Sequence, residues 1–105
     1  MIVRQAFFRG RVVPGRDAEF RRFVEDRMLE GWKRFPGARD VRVLFELDRD
    51  EGADPIPLSL AMSFDDSAAL DRMMASPERA ESRALTGELM QLFEGRIEHH
   101  VFEML

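Results

Sequence analysis

Residues 39–64, RDVRVLFELDRDEGADPIPLSLAMSF, decide the fold because they contain two alternating strands joined by a polar loop. The strands are predicted over residues 39–47 and 58–64. Successive side chains of a strand point to opposite faces, so each strand has one apolar face and one mixed face. The apolar positions are Val41, Val43, Phe45 and Leu47, then Leu58, Leu60, Met62 and Phe64. The loop between the strands contains glycine and proline, and the whole stretch therefore predicts a β-hairpin.

Two long helices are predicted on either side of this hairpin. Residues 17–35 repeat apolar side chains at three- and four-residue spacing, with Asp17 as a candidate N-cap and Pro36-Gly37 as the stop. Residues 67–93 repeat the pattern, and Gly95 is predicted to end this second helix. Ser76-Pro77 predicts a kink or short break inside it, because serine suits an N-cap and proline suits the first helical position.

The outer segments, residues 2–13 and 96–105, complete the pattern as strands. The resulting order is β-α-β-β-α-β, which predicts one α+β domain over residues 1–105. We expect an antiparallel four-stranded sheet with both helices on one face. The other face would carry Leu44 and Ala61, together with one of the adjacent residues Phe7 and Phe8, which point to opposite sides. A symmetric homodimer is the simplest cover for such a mixed face.

The composition excludes several classes of protein. The chain has no cysteine, which removes disulfides, thiol nucleophiles, zinc–thiolate sites and iron–sulfur clusters. The net charge of −4 argues against non-specific nucleic-acid binding. No apolar run reaches the roughly 18 residues that a membrane span requires. Arg4 also interrupts any apolar core of a signal peptide, so we expect a cytoplasmic protein without nucleic-acid or membrane partners.

Five short motifs lie at the boundaries of the predicted elements and together cover nearly the whole chain. They are Val13-Pro14-Gly15 with Glu19-Phe20, Phe35-Pro36-Gly37-Ala38, Phe64-Asp65-Asp66-Ser67-Ala68-Ala69-Leu70, Ala75-Ser76-Pro77-Glu78 and Leu92-Phe93-Glu94-Gly95-Arg96-Ile97. Their order and spacing resemble those of the dimeric α+β barrel superfamily, in particular its antibiotic-biosynthesis-monooxygenase-like and EthD-like proteins.

The resemblance implies a ferredoxin-like subunit whose open sheet face packs against a second copy to form a barrel. It also implies a cofactor-independent, monooxygenase-like enzyme acting on a small hydrophobic or aromatic substrate. Members that act on aromatic substrates or haem often have a tryptophan after the third strand and a histidine near the helix break. This chain has Phe64 at the first place and no histidine in residues 73–78. The resemblance therefore does not extend to haem degradation.

The only two histidines, His99 and His100, are candidates for acid–base chemistry. They are adjacent on a predicted strand, so they point to opposite faces and cannot share one site within a subunit. His100 is predicted to face the dimer-side cleft, because Ile97 and Val101 then join the helix-side core. A neutral histidine there can act as a general base. The alternative is a hydrogen-bonded histidine near an interface edge.

Arg42 and Glu46 lie on the mixed face of the second strand and complete the predicted catalytic set with His100. Arg42 can hold a carboxylate or a phenolate, and Glu46 can orient His100 or accept a proton. The alternative is that Arg42 and Glu46 form an ion pair across the dimer interface and fix its register.

Other side chains are candidates for lining a ligand pocket, either between helix and sheet or within the barrel. They are Gln5, Ser59, Ser63 and Phe64. The sequence has no glycine-rich phosphate loop and no metal-spaced histidines, so we predict no cofactor and no metal site. Two functions remain open, an enzyme acting on a small apolar ligand and a non-catalytic ligand-binding or structural dimer.

Overall fold

The computed structural model describes residues 1–105, and its elements follow the predicted β-α-β-β-α-β order. The strands are β1 (Ile2–Val12), β2 (Arg39–Phe45), β3 (Leu58–Phe64) and β4 (Phe93–Glu103). The helices are α1 (Asp17–Phe23), α2 (Leu29–Lys33), α3 (Ser67–Met74) and α4 (Pro77–Leu89). A π-helical turn at Val24–Met28 joins α1 to α2, and a 3-10 turn at Met90–Leu92 follows α4.

The four strands form one antiparallel sheet in the order β2-β3-β1-β4. This arrangement confirms the predicted α+β, ferredoxin-like fold. None of the helices combines the length and the apolar character required to cross a bilayer.

The pairing register separates the side chains of the sheet into two faces. Alternate residues of each strand pack against the helices, and Phe8 and Leu58 there are at most 2% exposed. The opposite face is open, because all helices pack on the first one. One row across this open face runs from Arg42 through Ala61 and Gln5 to His100. The two sides of the sheet therefore differ in what they can bind.

The π-helical turn keeps one apolar stripe directed at the sheet. Phe20, Val24, Met28 and Trp32 recur every fourth residue, and all four are buried. On a regular α-helix, with 3.6 residues per turn, a four-residue repeat drifts steadily around the axis. The wider π-helical turn at Val24–Met28 corrects this drift. Trp32 consequently reaches the core at the same face as Phe20.

The predicted N-cap residue is correct for α4 in the second half of the chain and wrong for α1 in the first half. Ser76 caps α4 by accepting a hydrogen bond from the Arg79 backbone N–H at 3.2 Å, and Pro77 is the first helical residue. The predicted break is therefore confirmed. Asp17, in contrast, is not an N-cap. It is already helical, and Arg16 precedes it without a side-chain cap.

Gly95 does not end the second helix, which corrects the prediction. The chain leaves the 3-10 turn at Leu92 and becomes extended at Phe93, whose buried ring lies 5.8 Å from that of Phe20. Gly95 instead pairs with Gly10 across β4 and β1, with φ angles of 153° and 141°. A Cβ atom on either glycine would overlap a carbonyl oxygen of the opposite strand. Both positions therefore require glycine.

Candidate functional site

A cavity of about 320 Å³ lies between α4 and the half of the sheet formed by β1 and β4. We call it the helix–sheet pocket. Its volume is at the lower end of the range that small-molecule sites occupy. It is lined by Arg4, Ala6, Phe8, Trp32, Phe35, Leu60, Arg79, Ser82, Arg83, Thr86, Ile97 and His99.

The floor of the pocket is apolar. Phe8 and Leu60 come from the sheet, Trp32 comes from α2, and Phe35 comes from the turn that follows α2. Each of these four side chains is less than a tenth exposed, so each is fixed by packing in the core. The small exposed part of this floor gives a ligand an apolar contact.

The opposite wall is cationic and hydroxylated. One stripe of α4 along the cavity carries polar side chains at positions i, i+3, i+4 and i+7, namely Arg79, Ser82, Arg83 and Thr86. Arg4 reaches the same cavity from β1. No aspartate or glutamate lines this space. A ligand in the pocket would therefore meet positive charge on one side and apolar rings on the other.

His99 lies at the rim of the pocket and keeps part of its ring exposed to solvent. Desolvation by the surrounding protein lowers the pKa of His99 to about 4, and the positive charges of Arg4, Arg79 and His100 add to this lowering. The imidazole is therefore neutral at physiological pH. A neutral imidazole at the edge of a ligand cavity can accept a proton from a bound molecule.

The low pKa of His99 has a measurable consequence. In an NMR titration of the histidine ring protons, we expect one of the two histidines to titrate near pH 4, and its signal to be missing in His99→Gln. Between pH 6.5 and 4 the unfolded chain binds a proton that the folded chain does not, so His99 lowers the free energy of unfolding as the pH falls through this window. Titration of both histidines above pH 6 would contradict this description of the pocket.

His100 lies on the open face, where the register places it opposite Gln5. Its ring packs edge-on against Phe7 at 5.5 Å and stacks on Phe102 at 6.0 Å. The Nε2 atom is 3.7 Å from a carboxylate oxygen of Glu98, which is too long for a hydrogen bond. His100 does not line the helix–sheet pocket.

Glu98 is the centre of an ion-pair network on the same open face. It accepts hydrogen bonds from Arg9 at 2.6 Å and from Arg96 at 2.8 Å. The hydrogen bond from the Arg9 guanidinium, followed by that from Arg96, lowers the pKa of Glu98 to about 2. Glu98 is therefore ionised at all ordinary pH values and already has two cationic partners.

The structure does not bring Arg42 and Glu46 to His100 within a subunit. Arg42 and His100 lie at opposite edges of the sheet, with Ala61 and Gln5 between them, which separates their backbones by about 14 Å. Glu46 follows the end of β2, further from His100, and its partners are residues of the hairpin loop. Its carboxylate forms an ion pair with Arg49 at 2.8 Å and accepts a hydrogen bond from the Ile56 backbone N–H at 3.2 Å.

The predicted ligand-binding residues also have local partners. Gln5 donates to the Ser59 hydroxyl at 2.9 Å, and Ser59 donates to the Ala6 carbonyl at 3.1 Å. Ser63 is 3% exposed and donates to the Arg39 carbonyl at 3.0 Å. Phe64 is fully buried in the helix-side core, so it has no surface free for a ligand and does not share a face with Gln5 and Ser59.

The helix–sheet pocket contains functional candidates that the sequence reasoning did not select. They are the cationic stripe of α4 and His99 in the role of base, for which the sequence favoured His100. The available signal was the repeat Arg79, Ser82, Arg83, Thr86, which places polar side chains on a helix face adjoining the sheet-facing one. These side chains line a pocket only because α4 leaves a gap over β4, and the spacing of residues in the sequence does not show that gap.

The fold is shared by solved structures whose sequences are less than a quarter identical to this chain. An ethyl tert-butyl ether D (EthD) family protein from Bacillus halodurans matches with a TM-score of 0.77 and 19% identity, over 100% of this chain and 99% of its own. SnoaB, a cofactor-independent oxygenase from Streptomyces nogalater, matches with a TM-score of 0.65 and 23% identity, over 98% and 91%.

A dimeric ferredoxin-like protein of unknown function from Jannaschia matches with a TM-score of 0.67 and 19% identity, over 98% of both chains. No family model and no curated protein sequence matches the chain. At these identities the likeness establishes the fold, and it agrees with the EthD-like and monooxygenase-like resemblance read from the sequence.

Proposed function

We propose that this protein is a small cofactor-independent enzyme that removes a proton from a hydrophobic or aromatic substrate held in the helix–sheet pocket. The observation that carries the proposal is the position of His99, a neutral imidazole at the rim of a cavity of about 320 Å³ with an aromatic floor. Arg4 and Arg79 line the same cavity, where they would stabilise negative charge that develops on the substrate.

A monooxygenase-like reaction follows if the substrate is a carbon acid that reacts with dioxygen. His99 takes a proton from a CH₂ group activated by neighbouring rings, and the resulting carbanion gives its electrons to O₂. One oxygen atom becomes the carbonyl oxygen of the product, and the other leaves as water with the two hydrogens. The reaction is balanced by O₂ alone. SnoaB, described as a cofactor-independent oxygenase, supports this choice of chemistry.

The test is oxygen uptake with 1,8-dihydroxyanthrone, a flat carbon acid of this kind. We expect the protein to accelerate uptake above the spontaneous rate, with saturation as the substrate fills the pocket. An uptake equal to that of buffer would reject the oxygenase reaction for this substrate class. The remaining function would then be a non-catalytic ligand-binding module, which the same pocket supports.

We also propose that the open face pairs with a second copy to form a homodimeric barrel. Leu44 is 50% exposed and Phe102 is 46% exposed on this face, and pairing with a second copy would remove both from water. The dimeric relative from Jannaschia supports self-association. In that barrel His100, Arg42 and Glu46 would lie at the interface, outside the helix–sheet pocket. Sedimentation at twice the 12.2 kDa chain mass is the expected result, and a monomer at high concentration would reject the barrel.

A further inference from the structure

The arginines of the helix–sheet pocket have no carboxylate partners. Arg9 and Arg11, further along β1, pair with Glu98 and Glu94 at 2.6 and 2.7 Å. Arg4, Arg79 and Arg83 form no ion pair in the structure, and no acidic side chain lines their cavity. The only hydrogen bond of these three guanidinium groups joins Arg79 to the Met74 carbonyl at 3.4 Å.

This arrangement is unfavourable without a counter-charge. Arg4 is partly buried, and both its burial and the positive charge of Arg79 lower its pKa. Partly buried cations that face one another lose hydration and repel, and the protein supplies no anion to offset either effect. An anion bound between Arg4 and Arg79 would relieve the repulsion and satisfy the free N–H groups.

The rest of the pocket defines what the anion is attached to. A bare ion would leave the exposed edges of Trp32 and Phe35 uncovered, whereas the apolar body of an organic anion would cover them. Arginine presents a planar fork that matches a carboxylate in two parallel hydrogen bonds. The Ser82 hydroxyl, on the same wall and not engaged by another side chain, adds one more donor.

We propose that the helix–sheet pocket takes a small organic acid, with its carboxylate between Arg4 and Arg79 and its aromatic or aliphatic body on Trp32 and Phe35. The proposal rests on the proposed function only in using the same pocket. The charge of the ligand can be tested by binding alone, without turnover.

The preference of the pocket for an anion can be tested with two fluorescent probes that have the same rings. 8-Anilino-1-naphthalenesulfonate carries an anionic group, and N-phenyl-1-naphthylamine lacks it. We expect the wild-type protein to bind the anionic probe at least tenfold more tightly. In Arg4→Met the affinity for the anionic probe should fall about tenfold or more, the effect of losing one charged hydrogen-bonding partner. Binding of the neutral probe should change less than twofold.

Arg22→Met is the matched control, because Arg22 is also an arginine without an ion pair but lies exposed on α1, outside the helix–sheet pocket. It should leave both affinities unchanged. Arg4→Lys keeps the charge and should retain most of the selectivity, which separates loss of charge from loss of fold. Equal wild-type affinities for the two probes, no binding of the anionic probe, or equal losses in Arg4→Met and Arg22→Met would overturn the proposal. Selective binding without oxygen uptake would reject the oxygenase reaction and leave this inference standing.

Discussion

Replacing His99 with glutamine is expected to lower the rate of enzyme-dependent oxygen uptake with 1,8-dihydroxyanthrone by at least about 100-fold, the usual contribution of a general base. Glutamine keeps the size and polarity of the ring but cannot take a proton. His99 is neutral above about pH 4, so the wild-type rate should rise through that pH and stay level from pH 6 to 8. The measurement is kcat/KM from an oxygen electrode across this range.

His100→Gln is the matched control for this experiment. The two histidines are neighbours in β4 but lie on opposite faces, His99 at the pocket and His100 beside Gln5 on the open face. We expect kcat/KM of His100→Gln to stay within about twofold of the wild type. A large loss of kcat/KM in His100→Gln, together with an unchanged kcat/KM in His99→Gln, would contradict the assignment of His99 as base and favour a site at the open face.

Gly10→Ala or Gly95→Ala is expected to destabilise the fold by more than about 3 kcal/mol. Each glycine has a φ angle that other residues rarely adopt, 141° and 153°, which alone costs about 1–3 kcal/mol. An added Cβ atom at Gly10 would also overlap the Glu94 carbonyl oxygen, and one at Gly95 would overlap that of Arg9. Small domains have only about 5–15 kcal/mol of stability, so either variant should lose much of it in urea denaturation.

Gly87→Ala is the control for the glycine variants. Gly87 lies inside α4, and a Cβ atom there would meet nothing within 4 Å. Alanine favours the helix by about 0.8–1.0 kcal/mol over glycine, so this variant should be unchanged or more stable. If Gly10→Ala proved as stable as Gly87→Ala, the backbones of β1 and β4 could not approach this closely at the glycine pair.

The fold could be predicted from the sequence because local signals agreed with the tertiary arrangement. The alternation of residues 58–64 and the Ser76-Pro77 helix start are both set by neighbouring residues. The end of the second helix was not predictable from Gly95. The partner of that glycine, Gly10, is 85 positions away in the sequence. The close approach of β1 and β4, which requires glycine at both positions, is therefore a property of the assembled sheet.

The candidate site could be predicted only in part. The opposite orientation of His99 and His100 follows from strand geometry, and the structure places them accordingly. Which face holds a cavity depends on how far α4 covers the sheet. Arg42 and His100 were grouped because both were expected on the dimer-side face, and the sheet order places them on opposite edges of that face within one subunit. Strand order is set by long-range packing and does not follow from alternation.

The assignment of the helix–sheet pocket is tested most directly by locating where a small molecule binds. Amide and methyl signals of the isotope-labelled protein can be followed by two-dimensional NMR during titration with 8-anilino-1-naphthalenesulfonate. We predict that the largest shifts occur at Ser82 and Thr86 on α4, which line the helix–sheet pocket. Largest shifts at Phe7 and Ala61 on the open face, with Ser82 and Thr86 unchanged, would contradict the central claim that the helix–sheet pocket is the functional site.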